Sequence, residues 1–163
     1  MKILFLRHAD AEVIQTSDEV RPLTAKGNRQ ARRVGEFLAA CGMRPGRVLT
    51  SPLVRAQETA GLVAAVAGLP DPEVASWLAC GMSASRCFSE CEKLAGDDSE
   101  EVLLVGHEPD FSEVIGEWIG GEGTVAAVRV KKASLIGLDV SAFLPGGAGL
   151  EFLLPVRLIS HAS

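Results

Sequence analysis

The residues of this sequence with the greatest chemical potential stand where apolar runs give way to polar ones. Leu6-Arg7-His8 and Val105-Gly106-His107 each close such a run, and Ser51-Pro52-Leu53-Val54-Arg55 follows a third. Two arginines and two histidines in one pocket are badly matched to a cation or an apolar ligand, because like charges repel unless an anion lies between them. Phosphate is the natural guest, since a guanidinium presents a rigid fork of donors that matches its oxygens. A helix opening at Ser51 adds backbone N–H groups and the positive end of a dipole. A histidine can also attack phosphorus as neutral imidazole, provided its other ring nitrogen is held as N–H by a carbonyl. His8 is therefore a candidate nucleophile.

Such residues act together only if the fold brings three strand ends to one place. Residues 2–6 form a continuous apolar run, as a strand buried on both faces would. Residues 9–22 lack periodicity and read as a loop. Thr24 is placed to cap a helix reaching Ala40, with Ala31, Val34, Leu38 and Cys41 on one stripe. A strand is expected at 47–50, then a helix with Ser51 as its N-cap and Pro52 in its first turn, ending at Gly68. A third helix is expected over 84–95 and a strand over 102–106, followed by a helix over 111–119 capped by Asp110. The last forty residues read as strands at 125–130, 134–140 and 150–158. This alternation predicts an α/β fold, a three-layer sandwich with a mainly parallel central sheet and antiparallel edge strands. In such sheets the ligand site lies outside the carboxyl ends of the strands, where Arg7, His8, Ser51, Arg55 and His107 would converge.

The bulk properties narrow the function. At 163 residues the chain is expected to fold as a single domain, 1–163, around one core. A formal charge of −5 argues against nucleic-acid binding, which normally needs a basic surface. No apolar run approaches the roughly 20 residues of a membrane helix, and no signal-peptide pattern follows Met1, so the expected address is the cytoplasm. The cysteines at 41, 80, 87 and 91 form no CxxC pair and are expected as reduced, mostly buried thiols. The scattered histidines lack metal-site spacing, so neither a metal nor another cofactor is expected; His161, in a polar tail, reads as inert.

The same blocks resemble the histidine phosphatase superfamily, the phosphoglycerate-mutase-like phosphatases, whose signature is an Arg-His pair directly after the first strand. Arg7-His8-Ala9-Asp10-Ala11 is similar to that signature, with Ala9 where the commonest form has Gly. Arg21-Pro22-Leu23-Thr24, the stretch from Thr50 to Ala60 and Val105-Gly106-His107 match later blocks in order. In length and spacing the chain is most similar to the small bacterial SixA type, which removes phosphate from protein phosphohistidine. The resemblance implies His8 as nucleophile, Arg7, Arg55 and His107 as the phosphate pocket, and Arg21 as a further contact. It also implies, as partner, a histidine phosphotransfer domain or a phosphotransferase carrier.

Larger members of the family supply a carboxylic acid to protonate an alkoxide leaving group. No acid stands at the matching place near Trp77, which leaves Glu73, Asp10, Asp18, Glu19 and Glu108 as scattered candidates. A phosphohistidine releases imidazole, whose conjugate acid has a pKa of about 6.5, so it needs far less protonic help than an ester. Only about thirty residues separate Pro70 from Val102, too few for a large cap over a small metabolite. Both points favour a phosphorylated protein side chain. The competing expectations are a broad phosphomonoesterase and a non-catalytic phosphate sensor. Arg29, Arg32 and Arg33 read as a solvated helix face that could help dock an acidic partner.

Overall fold

The computed structural model describes residues 1–13, 17–96, 100–124 and 128–159. Strands and helices alternate along them: β1 (Lys2–Arg7), α1 (Ala25–Ala40), β2 (Arg47–Thr50), α2 (Val54–Ala67), β3 (Glu73–Val74), α3 (Ala84–Gly96), β4 (Glu101–Gly106), α4 (Asp110–Gly120), β5 (Leu135–Val140) and β6 (Ala148–Leu154). The sheet order is β3-β2-β4-β1-β5-β6. The first four strands in that order run parallel, while β5 is antiparallel to β1 and β6 to β5. This is the mixed α/β sandwich that the alternation of elements predicts.

Strand alternation divides the core in two. Ile3, Phe5, Val102 and Leu104 face α3 and α4, where Phe5 meets Phe111 edge to face with ring centres 4.9 Å apart. Leu4, Leu6, Leu103 and Val105 face α1 and α2, whose contact surface is built of Ala31, Val34, Ala56, Ala60 and Val63. Small residues let those helices approach closely. A Cβ on Gly35 would stand 2.8 Å from that of Val66.

Several boundaries differ from expectation, each for a local reason. Thr24 does cap α1, accepting from the Gly27 N–H, but Cys41 lies at the helix's other cap and is exposed rather than on the buried stripe. The cysteines divide evenly, with 87 and 91 buried and 41 and 80 exposed, all as free thiols. Ser51 does not cap α2, which starts at Val54. Its backbone N–H extends the β ladder to Val105 O, and Pro52 and Leu53 make a bend before the helix. Asp110 is the first residue of α4, and its carboxylate accepts from the Gly81 and Met82 N–H groups instead of capping. The strand expected over 150–158 ends at Leu154, because Pro155 supplies no N–H and a 3₁₀ turn follows at Val156–Leu158. Of the strand expected over 125–130, residues 128–130 are not extended into the sheet and 125–127 lie outside the described residues, as does His161. The two-residue strand β3 has too little apolar pattern to be legible.

Candidate active site

Parallel pairing places Arg7 level with Gly106, and Thr50 level with Val105, at one edge of the sheet. The next residues, His8, Ser51 and His107, therefore emerge side by side. The His8 N–H still donates to Gly106 O at 2.9 Å, which keeps β1 and β4 in register up to the two imidazoles. Their ring centres are 5.2 Å apart.

Hydrogen bonding fixes the His8 tautomer. Nδ1 lies 2.8 Å from the carbonyl oxygen of Ala9, which can only accept, and Nε2 lies 3.3 Å from Arg55 Nε, which can only donate. Nδ1 therefore carries the hydrogen and Nε2 the lone pair. Burial is the main cause that pulls the ring's pKa down to about 4, with Arg55, Arg7 and Lys132 adding to it against the Ala9 hydrogen bond. His8 is neutral at pH 7.

His107 is anchored through its other ring nitrogen. Its Nε2 is 2.7 Å from Ser51 Oγ, which accepts from the Leu53 N–H and whose own hydrogen has no other acceptor among the described residues, so the hydroxyl donates to Nε2. Nδ1 then carries the ring hydrogen, and it is buried without a partner. Burial, then the adjacent His8 ring and the Arg55 guanidinium, bring this imidazole down to about 3.

Arg55, in the first turn of α2, is only 3% exposed. Besides His8 it donates to Asp18 O at 2.7 Å and Asp18 Oδ2 at 3.0 Å, and its Nη2 lies 3.9 Å from Cys80 Sγ. Arg7 is held by one bond, Nη1 to Val130 O at 2.8 Å, while its buried Nε has no partner. Arg21 reaches the cluster only through Asp18, whose other carboxylate oxygen it meets at 2.6 Å. The structure thus joins His8, Arg55, His107 and Ser51 directly, sets Arg7 beside them, and leaves Arg21 one step outside.

Sequence reasoning did not anticipate two supports. Asp18 stood among the candidate acids but is the shared counter-ion of Arg55 and Arg21, which hold its carboxyl below the usual range against a desolvation that opposes them. Thr59, fully buried on α2, accepts from the Ala9 N–H at 3.0 Å and donates to Arg55 O at 2.7 Å. Ala9 itself is fully buried, so the missing glycine is accommodated without exposure. Of the other acids, Glu73 pairs with Arg47 at the surface and Asp10 with Lys132. Glu19 offers its carbonyl to the Val54 N–H. Glu108 accepts from Ser112 Oγ at 2.6 Å, and burial raises its carboxyl above the ordinary value despite Ser112 and Arg7.

The site thus holds two strand-end histidines anchored through different ring nitrogens, beside a buried Arg55 and a half-buried Arg7, and the chain that carries it is similar to known proteins. The sequence model of the histidine phosphatase superfamily (branch 1) matches residues 3–79. Phosphohistidine phosphatase SixA of Escherichia coli (strain K12) is 32% identical over 127 residues, covering 75% of this chain and 76% of its own. The chain belongs to the histidine phosphatase superfamily. Its SixA homolog in Haemophilus influenzae is 30% identical, over 83% of this chain and 88% of that one. The solved structure of the protein histidine phosphatase SixA complexed with tungstate shares the fold, with a TM-score of 0.89 and 24% identity over 98% of this chain and all of that one. Membership makes the protein a phosphatase of SixA type with the phosphoglycerate-mutase-like fold. Among its described residues no helix is long and apolar enough to cross a membrane, and no three His, Cys, Asp or Glu side chains are grouped as metal ligands would be.

Proposed function

We propose that this phosphatase works without a metal, through phosphorylation of His8, and that its substrate is a phosphohistidine on a protein. The observation that carries the reading is the His8 tautomer: Nδ1–H is tied to Ala9 O, leaving a neutral Nε2 whose lone pair faces Arg55. In the first step Nε2 attacks phosphorus, the P–N bond to the substrate imidazole breaks, and a proton from the medium completes the departing ring. In the second, water attacks phosphorus, its P–Nε2 bond breaks, and phosphate leaves with neutral His8 restored.

The transferring phosphoryl group is stabilised by fixed cations and donors rather than by covalent help. Arg7 Nε–H and His107 Nδ1–H, buried and unpartnered, are the donors left to bind it; a buried polar group left unpaired costs about 1–3 kcal/mol, which a bound anion offsets. Arg55 turns its Nε–H from the His8 lone pair to a phosphoryl oxygen as attack begins. The partner on this reading is a histidine phosphotransfer domain or a phosphotransferase carrier, as the resemblance of the sequence implies, and with such a partner the protein would act in cytoplasmic signalling.

One feature favours a second reading. Glu108, next to His107, has a raised carboxyl and a buried, unpartnered Oε1, so it could protonate an alkoxide and extend the activity to small phosphate esters. The two readings separate when phosphate release is followed, with a chelator present, from a phosphohistidine-bearing carrier and from an aryl phosphate. Release from the carrier alone is the expected result. Preference for the ester would replace it with the phosphomonoesterase, and silence on both would leave a phosphate sensor.

A further inference from the structure

A groove of about 410 Å³ leads away from Arg7, lined by Lys26 and Gln30 of α1, Lys131 and Lys132 ahead of β5, and Val156 and Arg157 after β6. Lys26, Lys131, Lys132 and Arg157 are all exposed. Lys132 is partly neutralised, since its Nζ meets Asp10 Oδ1 at 2.6 Å while the other oxygen of that carboxylate accepts from Thr24. The same Asp10 also feels the charge of Lys26. The side chains of Lys131 and Arg157 have no hydrogen-bond or ion-pair partner among the described residues. Four exposed cations beside Arg7 thus have Asp10 as the carboxylate that Lys132 and Lys26 share, in a chain whose formal charge is −5.

This charge is surplus to the phosphate chemistry, for which Arg7, Arg55 and His107 already suffice. It is also the wrong shape for one compact anion. Apart from Arg7 the cations come from three separate segments, three of them are lysines, which act as mobile point charges rather than as bidentate forks, and the floor is partly apolar at Pro155 and Val156. Carboxylates spread over a folded surface match such a distribution. The groove also communicates with the reacting residue, because Lys132 is near enough to His8 to act on its protonation.

We propose that this groove docks an acidic protein face, the carboxylate-bearing surface around the phosphorylated histidine of the partner, and so delivers the phosphoryl group to His8 from the Arg7 side. The inference rests on the reading of the protein as a protein phosphohistidine phosphatase. Rim charges of this kind act chiefly on encounter rate and its salt dependence.

The test uses Lys131→Glu combined with Arg157→Glu, with the milder pair Lys131→Gln and Arg157→Gln as a graded companion. Turnover of an acidic, phosphorylated histidine phosphotransfer domain is measured beside turnover of an aryl phosphate, over a range of salt. The expected result is a loss in kcat/KM on the domain of roughly tenfold or more for the reversal, a smaller loss for the Gln pair, a flatter salt dependence in both, and no change on the aryl phosphate. Unchanged kcat/KM on the domain overturns the proposal. An equal loss on both substrates also overturns it, by making the groove part of the phosphate pocket. Binding of the phosphorylated domain to His8→Ala, with and without the reversals, separates this inference from the reading beneath it. If wild type fails to turn the domain over while the reversals still weaken its binding, the substrate assignment falls and the docking groove stands; no measurable binding by His8→Ala overturns the groove.

Discussion

The ends of β1 and β4 make an instructive pair. Both are buried parallel strands, adjacent in the sheet, and both finish in a histidine at the same level, yet the two rings are held by opposite nitrogens. At β1 the chain turns so that the carbonyl of the very next residue, Ala9, takes Nδ1–H and leaves Nε2 as a lone pair. At β4 the neighbouring strand end supplies Ser51, whose hydroxyl takes Nε2 and leaves Nδ1 as an N–H. The same residue at equivalent places thus becomes, on the proposed reading, an electron-pair donor at one and a hydrogen-bond donor at the other. Which atom is tied down decides the role.

The strongest way to break this contrast is His8→Ala. Loss of the nucleophile should lower kcat by roughly 10³-fold or more and abolish alkali-stable phosphate labelling of the protein, with the circular dichroism spectrum unchanged. Retention of full activity would sink the mechanism. His107→Ala removes a donor rather than the nucleophile, so a drop of about 10²-fold in kcat is expected, with rapid-quench labelling of His8 still detectable. Absence of the label in that variant would show that the two histidines do not divide the work as proposed.

A smaller effect concerns pH. Both imidazoles have folded-state pKa values, about 4 and about 3, below the 6.5 of an unfolded chain, so between those limits the unfolded state binds more protons. The sign follows: stability is complete above pH 6.5 and falls as the pH drops toward 4. Unfolding free energies from urea titrations at pH 7 and 4.5 should differ less in His8→Ala than in wild type, by on the order of 2 kcal/mol. Parallel lines for the two proteins would show that His8 is not held neutral by its burial.

The strand ends were legible because apolar runs stop abruptly at Arg7 and His107, and Arg55 was legible because Ser51-Pro52 announces a helix. What misled there was the serine itself. Its hydroxyl serves both the bend, through the Leu53 N–H, and His107, and a lone sequence cannot show that a histidine 56 residues later shares it. The Asp18–Arg55 pair was hidden for a related reason, since the loop carrying Asp18 has no periodicity to say which way its carboxylate points. The groove beside Arg7 is less legible still, because Lys26 and Arg157 become neighbours only once α1 and the segment after β6 pack on the same side of the sheet.

The hydroxyl of Thr59 sets a tolerance. On the proposed mechanism His8 and Arg55 approach one phosphorus atom from positions 47 residues apart in sequence, separated by a loop, a helix, a second strand and a bend. One oxygen atom, bonded to the N–H that follows His8 and to the carbonyl of Arg55, works as a gauge block between them. The error in their spacing is then the slack of two short hydrogen bonds and not the accumulated play of the chain that connects them.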